Sequence, residues 1–269
     1  CLWMLWAKKN WKTTKRTKKN NVNIFAIGDL HLPGGDNKPM DVFGAHWEGH
    51  FSHIAEDWQS KVGQEDLVLI PGDISWAMQL EPALDDLRMI GALPGQKVIL
   101  RGNHDYWWCG INRLREVLPE KMFAVQNDAI RFGDVVVCGT RLWTLPQNGN
   151  AEDERIYNRE LIRLELSLSS AKKLGGERCV VMTHSPPLAD GGGETKASQM
   201  MSQFGVDDVV YGHLHGASLR GAVTGTFDGV RYHCVSCDGL KFKVYALPGG
   251  EAETEKGAAA QKTGEFAAE

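Results

Sequence analysis

Five runs of apolar, β-rich residues punctuate the chain, and each breaks off into a polar loop. Asn23-Ile24-Phe25-Ala26-Ile27-Gly28 leads into Asp29-Leu30-His31, and Leu67-Val68-Leu69-Ile70-Pro71-Gly72 leads into Asp73. Val98-Ile99-Leu100-Arg101-Gly102 leads into Asn103-His104-Asp105. Cys179-Val180-Val181-Met182-Thr183 leads into His184, and Val209-Val210-Tyr211-Gly212 into His213-Leu214-His215. Short runs bounded by turn residues predict buried strands, whose carboxyl ends are where α/β folds present chemistry.

Helical periodicity fills the intervals. The pattern predicts helices over residues 47–62, from Glu81-Pro82 to before Leu93-Pro94-Gly95, over 111–118 closed by Pro119, and over 153–174. The last is the clearest. Tyr157, Leu161, Leu164, Leu168 and Ala171 recur at spacings of four and three, and Gly175-Gly176 ends the helix. Val135 to Cys138 reads as a strand in a more antiparallel region. After His215, runs at 217–223, 229–235 and 240–246 read as antiparallel strands completing a second sheet. Alternating strands and helices predict one layered α/β domain over 22–248.

Composition changes this picture only at the ends. Residues 1–21 begin with an apolar stretch, and Lys8, Lys9, Lys12, Lys15, Arg16, Lys18 and Lys19 follow with no acid among the first twenty. Taking that +7 from a net charge of −4 leaves −11 on the rest, so the asymmetry lies between an arm and a body. The arm is expected to be a disordered extension outside the domain rather than a signal peptide. The tail over 249–269, rich in Gly, Ala, Glu, Lys and Thr, is likewise expected to be disordered. An acidic body argues against an extended track for duplex nucleic acid. No apolar run approaches the roughly 20 residues of a membrane span. Six scattered cysteines predict a reducing compartment, the cytoplasm, with Cys234 and Cys237 as ordinary strand residues rather than half a zinc site.

The loops hold carboxylates, an amide and imidazoles. That donor set suits divalent transition metals such as Mn, Fe or Zn better than Ca or Mg, which prefer oxygen shells. The order D-x-H, GD, GNHD, H, GHxH over residues 29–215 resembles that of the calcineurin-like metallophosphoesterases. The longer wording around Lys38-Pro39-Met40-Asp41, Pro71 to Met78 and Asn103 to Trp108 is similar to a bacterial subgroup of predicted phosphohydrolases of unassigned substrate. The resemblance implies two mixed sheets packed face to face with flanking helices, an αββα sandwich. It implies two divalent ions: Asp29, His31 and His215 would hold one, Asn103, His184 and His213 the other, and Asp73 would bridge them. It also implies that His104 protonates the leaving group, with Asp105 orienting its ring.

The implied activity is hydrolysis of a phosphomonoester or phosphodiester, on a small molecule or nucleotide. A cyclic-nucleotide phosphodiesterase, a nuclease and a non-catalytic metal-bearing scaffold are the alternatives. Arg101, Tyr106, Trp107, Trp108, Arg141 and Trp143 are candidate substrate contacts, the aromatics either stacking on substrate or packing beneath their loops. The long loop from Leu32 to His53, with Lys38, Asp41, His46, His50 and His53, is a candidate lid, although at least two of its histidines are expected in solvent.

Overall fold

The structure is a computed structural model that describes residues 22–35, 40–146 and 150–249. The basic arm, Lys38 and the tail from 250 onward lie outside the described residues. In chain order the elements are β1 (Ile24–Ala26), α1 (His50–Lys61), β2 (Leu67–Ile70), α2 (Leu80–Gly91), β3 (Gln96–Ile99), α3 (Ile111–Val117), β4 (Met122–Ala124), β5 (Ala129–Phe132) and β6 (Val135–Gly139). They continue with α4 (Ala151–Leu174), β7 (Arg178–Thr183), α5 (Lys196–Gln203), β8 (Asp208–Tyr211), β9 (Gly225–Phe227), β10 (Val230–Cys234) and β11 (Tyr245–Ala246).

Two mixed sheets form, in the orders β11-β1-β2-β3-β4 and β5-β6-β7-β8-β10-β9. Side chains alternate between the two faces of each strand. Leu67 and Leu69 of β2 therefore point between the sheets, with Ile24, Val98, Val137, Val180 and Val210. Val68 and Ile70 point the other way, onto Ile54 and Trp58 of α1 and Leu87 of α2. On the far sheet Val136, Val181 and Val209 meet Leu164 and Leu168 of α4 and Met201 of α5. The result is a helix–sheet–sheet–helix sandwich, and strands covered on both faces are why the apolar runs are nearly unbroken. The five residues of the α4 stripe are all buried.

Two expectations after His215 fail. Residues 217–223 do not form a strand: Gly216–Gly221 is a 3-10 turn, capped by His215 and Ser218 and entered through Gly216 at φ 51°. Of 240–246 only Tyr245–Ala246 is a strand, and it pairs with β1 in the first sheet rather than completing the second. Lys241 and Phe242, at φ 53° and 58°, turn the chain before it. The antiparallel setting of β6 and β10 holds on one side each: β6 pairs antiparallel with β5 and parallel with β7, and β10 antiparallel with β9 and parallel with β8.

Candidate metal centre

All five ligand-bearing loops leave the carboxyl ends of parallel strands: β1, β2 and β3 in one sheet, β7 and β8 in the other. The sheets meet at this end, because the Gly28 amide donates to Val235 O (2.7 Å) and the Cys237 amide to Gly28 O (3.1 Å). Asp29, His31, Asp73 and His213 all sit at positive φ, between 45° and 75°. Side chains other than glycine adopt that region at a cost of order 1–3 kcal/mol each, and such strain gathers at functional sites. Two glycines make room. A Cβ on Gly102 would run into the Asp73 carboxylate, and one on Gly212 into that of Asp29.

Three donor atoms converge on the β3–β7–β8 side. Asn103 Oδ1 lies 2.6 Å from His184 Nε2 and 2.8 Å from His213 Nδ1, and those two nitrogens are 3.2 Å apart. On the β1 side His31 Nε2 faces His215 Nε2 at 3.3 Å. Both carboxylates stand between the two sets. Asp73 Oδ2 is 3.8 Å from His31 Nε2 and 3.4 Å from His184 Nε2, while Asp29 Oδ1 is 3.8 Å from His215 Nε2 and from His184 Nδ1. Asp29, His31 and His215 form one group that could hold a metal ion, and Asp29, Asp73 and His184 form another.

Supporting hydrogen bonds fix the imidazoles. His184 Nδ1–H donates to the Pro71 carbonyl (3.0 Å), which leaves Nε2 as the lone pair facing Asn103. His215 Nδ1–H donates to Asp238 (3.0 Å), which leaves Nε2 facing His31. A second partner that sets the ring nitrogen offered to a metal is the usual arrangement around a ligating histidine. Asp238 is missing from the sequence reading. It follows Cys237 with no periodicity or motif to mark it, and only the turn after β10 carries it to His215.

The electrostatics ask for positive charge. Asp29 and Asp73 are both buried and face imidazoles. Burial, followed by the neighbouring Asp73, raises the Asp29 carboxyl to about 7. Burial also lowers His31 to about 3 and His213 to about 4, and lowers His184, so these rings stay neutral with lone pairs available. His215 runs the other way, raised against burial by Asp238 and Asp29. Neutral imidazoles such as the other three, around desolvated carboxylates, are what a divalent cation requires of its ligands. The donor set present therefore fits the transition-metal pair that the family resemblance implies.

His104 is half-buried beside this cluster. Its amide donates to Asp73 Oδ1 (2.8 Å), and its ring centroid lies 4.7 Å from Trp76, 5.9 Å from His31 and 6.3 Å from Tyr106. The Asp105 carboxylate serves another purpose than orienting that ring. It accepts from the amides of Gly102, Asp73, Ile74 and Ser75 and from Trp107 Nε1, and so ties the β2 and β3 loops together. A fully buried carboxylate must have its lone pairs met, and these five donors meet them.

The aromatic candidates divide. Trp107 and Trp108 are buried beneath the loop, with Trp108 Nε1 on Gln126, whereas Tyr106 is 53% exposed. In the candidate lid, Trp47 is buried against His31 and His215, His50 is buried with Nε2 on the Leu30 carbonyl, and His46 and His53 face solvent. Arg141 and Trp143 lie together, the guanidinium 4.8 Å from the ring centroid.

A family model for the calcineurin-like phosphoesterases matches residues 22–217. The gene 66 protein of Mycobacterium phage D29 is 29% identical over 208 residues, 75% of this chain and 83% of that one. The gene 66 protein of Mycobacterium phage L5 is 34% identical over 85 residues, 31% of this chain and 40% of that one. Among solved structures, the phosphopantetheinyl hydrolase of Mycobacterium tuberculosis shares the fold with a TM-score of 0.52 at 16% identity, over 84% of this chain and 96% of that one.

Proposed function

Because this chain belongs to the calcineurin-like phosphoesterase family, the phosphoric ester hydrolases, we propose that it is a dinuclear metal-dependent phosphohydrolase working through the cluster at the strand ends. Asp29, His31 and His215 hold one cation, Asn103, His184 and His213 the other, and Asp73 stands between them. The observation that supports this most is the triangle of Asn103 Oδ1, His184 Nε2 and His213 Nδ1, with sides of 2.6–3.2 Å, beside the facing Nε2 atoms of His31 and His215. Mn, Fe and Zn suit that mixture of oxygen and imidazole donors. When bound, such cations supply Lewis acidity at the phosphoryl oxygens and acidify water.

The chain's own residues do the rest. Pro71 O and Asp238 hold two imidazoles in the tautomers that present Nε2. The Asp105 carboxylate fixes the loop that carries Asn103 and His104, and the His104 ring serves as the general acid toward the leaving oxygen of a phosphomonoester or phosphodiester. The free cysteines Cys109, Cys138, Cys179, Cys234 and Cys237 suit a reducing compartment, in line with action in the cytoplasm. Among the described residues no helix is long and apolar enough to cross a membrane.

The test is hydrolysis of p-nitrophenyl phosphate and bis-p-nitrophenyl phosphate with added Mn²⁺ and with chelator. Metal-dependent turnover is expected, and the preferred ester separates a monoesterase from a diesterase. His104→Ala is expected to retain Mn²⁺ and lose about 10²–10⁴ in turnover. Failure to cleave either ester while Mn²⁺ is bound would favour the metal-bearing scaffold.

A further inference from the structure

His31 lacks the device that orients two of its fellow ligands. His184 donates Nδ1–H to the Pro71 carbonyl (3.0 Å), and His215 donates Nδ1–H to Asp238 (3.0 Å). His31 Nδ1 is buried and has no hydrogen-bond partner among the described residues. A buried nitrogen in that state is an exception that calls for a reason. What the ring has instead is a stacked neighbour. The half-buried Trp76 lies against it with the centroids 4.8 Å apart and the planes 19° from parallel. The same indole stands 4.7 Å from the His104 ring.

Trp76 is itself built into place. The loops after β1 and β2 run side by side as a short parallel ladder. In it the amides of His31, Leu32 and Trp76 donate to Asp73 O (3.0 Å), Ile74 O (2.9 Å) and Leu32 O (2.8 Å). Asp86, a buried carboxylate of α2, clamps both loops: it accepts from the Gly34 amide (2.8 Å) and from Ser75 Oγ–H (2.5 Å). Ser75 Oγ in turn accepts the Ala77 amide (3.2 Å). The loops press so closely that a Cβ on Gly34 would run into the Ala77 backbone. The indole Nε1–H is held on Met40 Sδ (3.1 Å). Space filling alone would ask only for an apolar side chain of the right volume at position 76. It calls neither for a ring near-parallel to an imidazole nor for a buried carboxylate that fixes the backbone beside it.

We propose that Trp76 is the positioning residue for His31. Its ring sets the imidazole plane by stacking, where Pro71 O and Asp238 set the other two by hydrogen bonds, and Asp86 holds the loops in the register that brings the rings together. For what His31 grips, this assignment rests on the metal-dependent reading of the cluster; the ring geometry is tested without metal.

The first readout is Mn²⁺ titration by calorimetry of wild type, Trp76→Leu, Trp76→Phe, His31→Ala and the double variant with Trp76→Leu and His31→Ala. Trp76→Leu is expected to weaken the binding step that His31→Ala identifies, about three- to tenfold, the scale of one aromatic pair. The other step should stay within about twofold. Trp76→Phe, which keeps a ring to stack, should recover most of the loss, and Trp76→Leu should add nothing in the His31→Ala background. The second readout is a crystal structure of the chelated Trp76→Leu protein. There the His31 ring is expected to leave its present orientation while His184 and His215 keep theirs. Thermal melts identify a variant that fails to fold; should Trp76→Leu be one, Trp76→Met takes its place. No weakening, equal weakening of both steps, the same weakening with and without His31, or an unmoved His31 ring overturns the assignment. A wild type that binds no Mn²⁺ removes the metal reading and leaves the metal-free ring to decide.

Discussion

The two ends of the sandwich bury charge in opposite ways. At the amino ends of β7, β8 and β10, the fully buried Asp208 accepts from Arg178 (2.7 and 2.9 Å), Arg231 (2.7 Å twice) and His233 (3.0 Å). The other ring nitrogen of His233 accepts from Tyr245 O–H (3.1 Å), so the network crosses from one sheet to the other. Those hydrogen bonds and charges outweigh burial and hold the Asp208 carboxyl well below the usual range. At the carboxyl ends, Asp29 and Asp73 are equally buried but face imidazoles rather than guanidinium groups; burial drives Asp29 up to about 7, whereas for Asp73 the charges of His184 and His31 outweigh burial and hold it below the usual range. A buried carboxylate that the fold has already neutralised is architecture. One that the fold leaves in deficit marks where something from outside must bind.

Breaking the compensated end should have the largest effect. Asp208→Ala strands two guanidinium groups and is expected to cost about 3–5 kcal/mol of stability by urea titration. Acid should do the same by degrees: the depressed carboxyl stabilises the fold above its unfolded value of 3.8, and that contribution is lost as pH falls below it.

The metal-free centre should respond with the opposite sign. Folding favours the protonated form of Asp29, so its contribution is intact below about pH 4 and is lost as pH rises through about 7. Asp29→Asn is expected to stabilise the chelated protein at pH 8, on the order of 3 kcal/mol, and to do nothing at pH 4. Added Mn²⁺ should reverse the ranking by stabilising wild type alone. A variant that melts below wild type in chelator at pH 8 would show that the deficit is already met within the fold.

Two smaller changes sharpen the contrast. Asp238→Asn should weaken Mn²⁺ binding about 10–100-fold, the usual effect of removing a partner behind a ligating histidine, with little change in unfolding. Tyr106→Ala, which removes the exposed ring beside His104, should raise KM for aryl esters about two- to tenfold and leave kcat near wild type. A fall in kcat instead would place that ring at the transition state.

The fold was legible in the sequence where periodicity carries it. The stripe from Tyr157 to Ala171 could only be a core-facing helix, and apolar runs ending in Gly-Asp or Gly-Asn-His could only be buried strands feeding loops. Those runs also led to the residues that converge at the strand ends. What stayed hidden was set by distance or direction. Asp238 reaches His215 across 23 residues of turn and strand. The Asp105 carboxylate was drawn to backbone amides rather than to the ring beside it, and the left-handed backbone at four cluster residues leaves no pattern in composition. The run at 240–246 has strand-like content, but two left-handed residues inside it leave room for only Tyr245 and Ala246 to pair.

That last pair has a kinetic consequence. Phe25 pairs with Ala246, so the edge of the first sheet closes by joining segments more than two hundred positions apart. The family match stops at 217, yet the stretch beyond it supplies this clasp, the Gly28 bridge and Asp238. Contacts so distant in sequence form late, because loop closure must be met before they stabilise anything. The last contacts to close around the strand-end cluster are therefore the ones that need residues 236–246 to fold back onto β1.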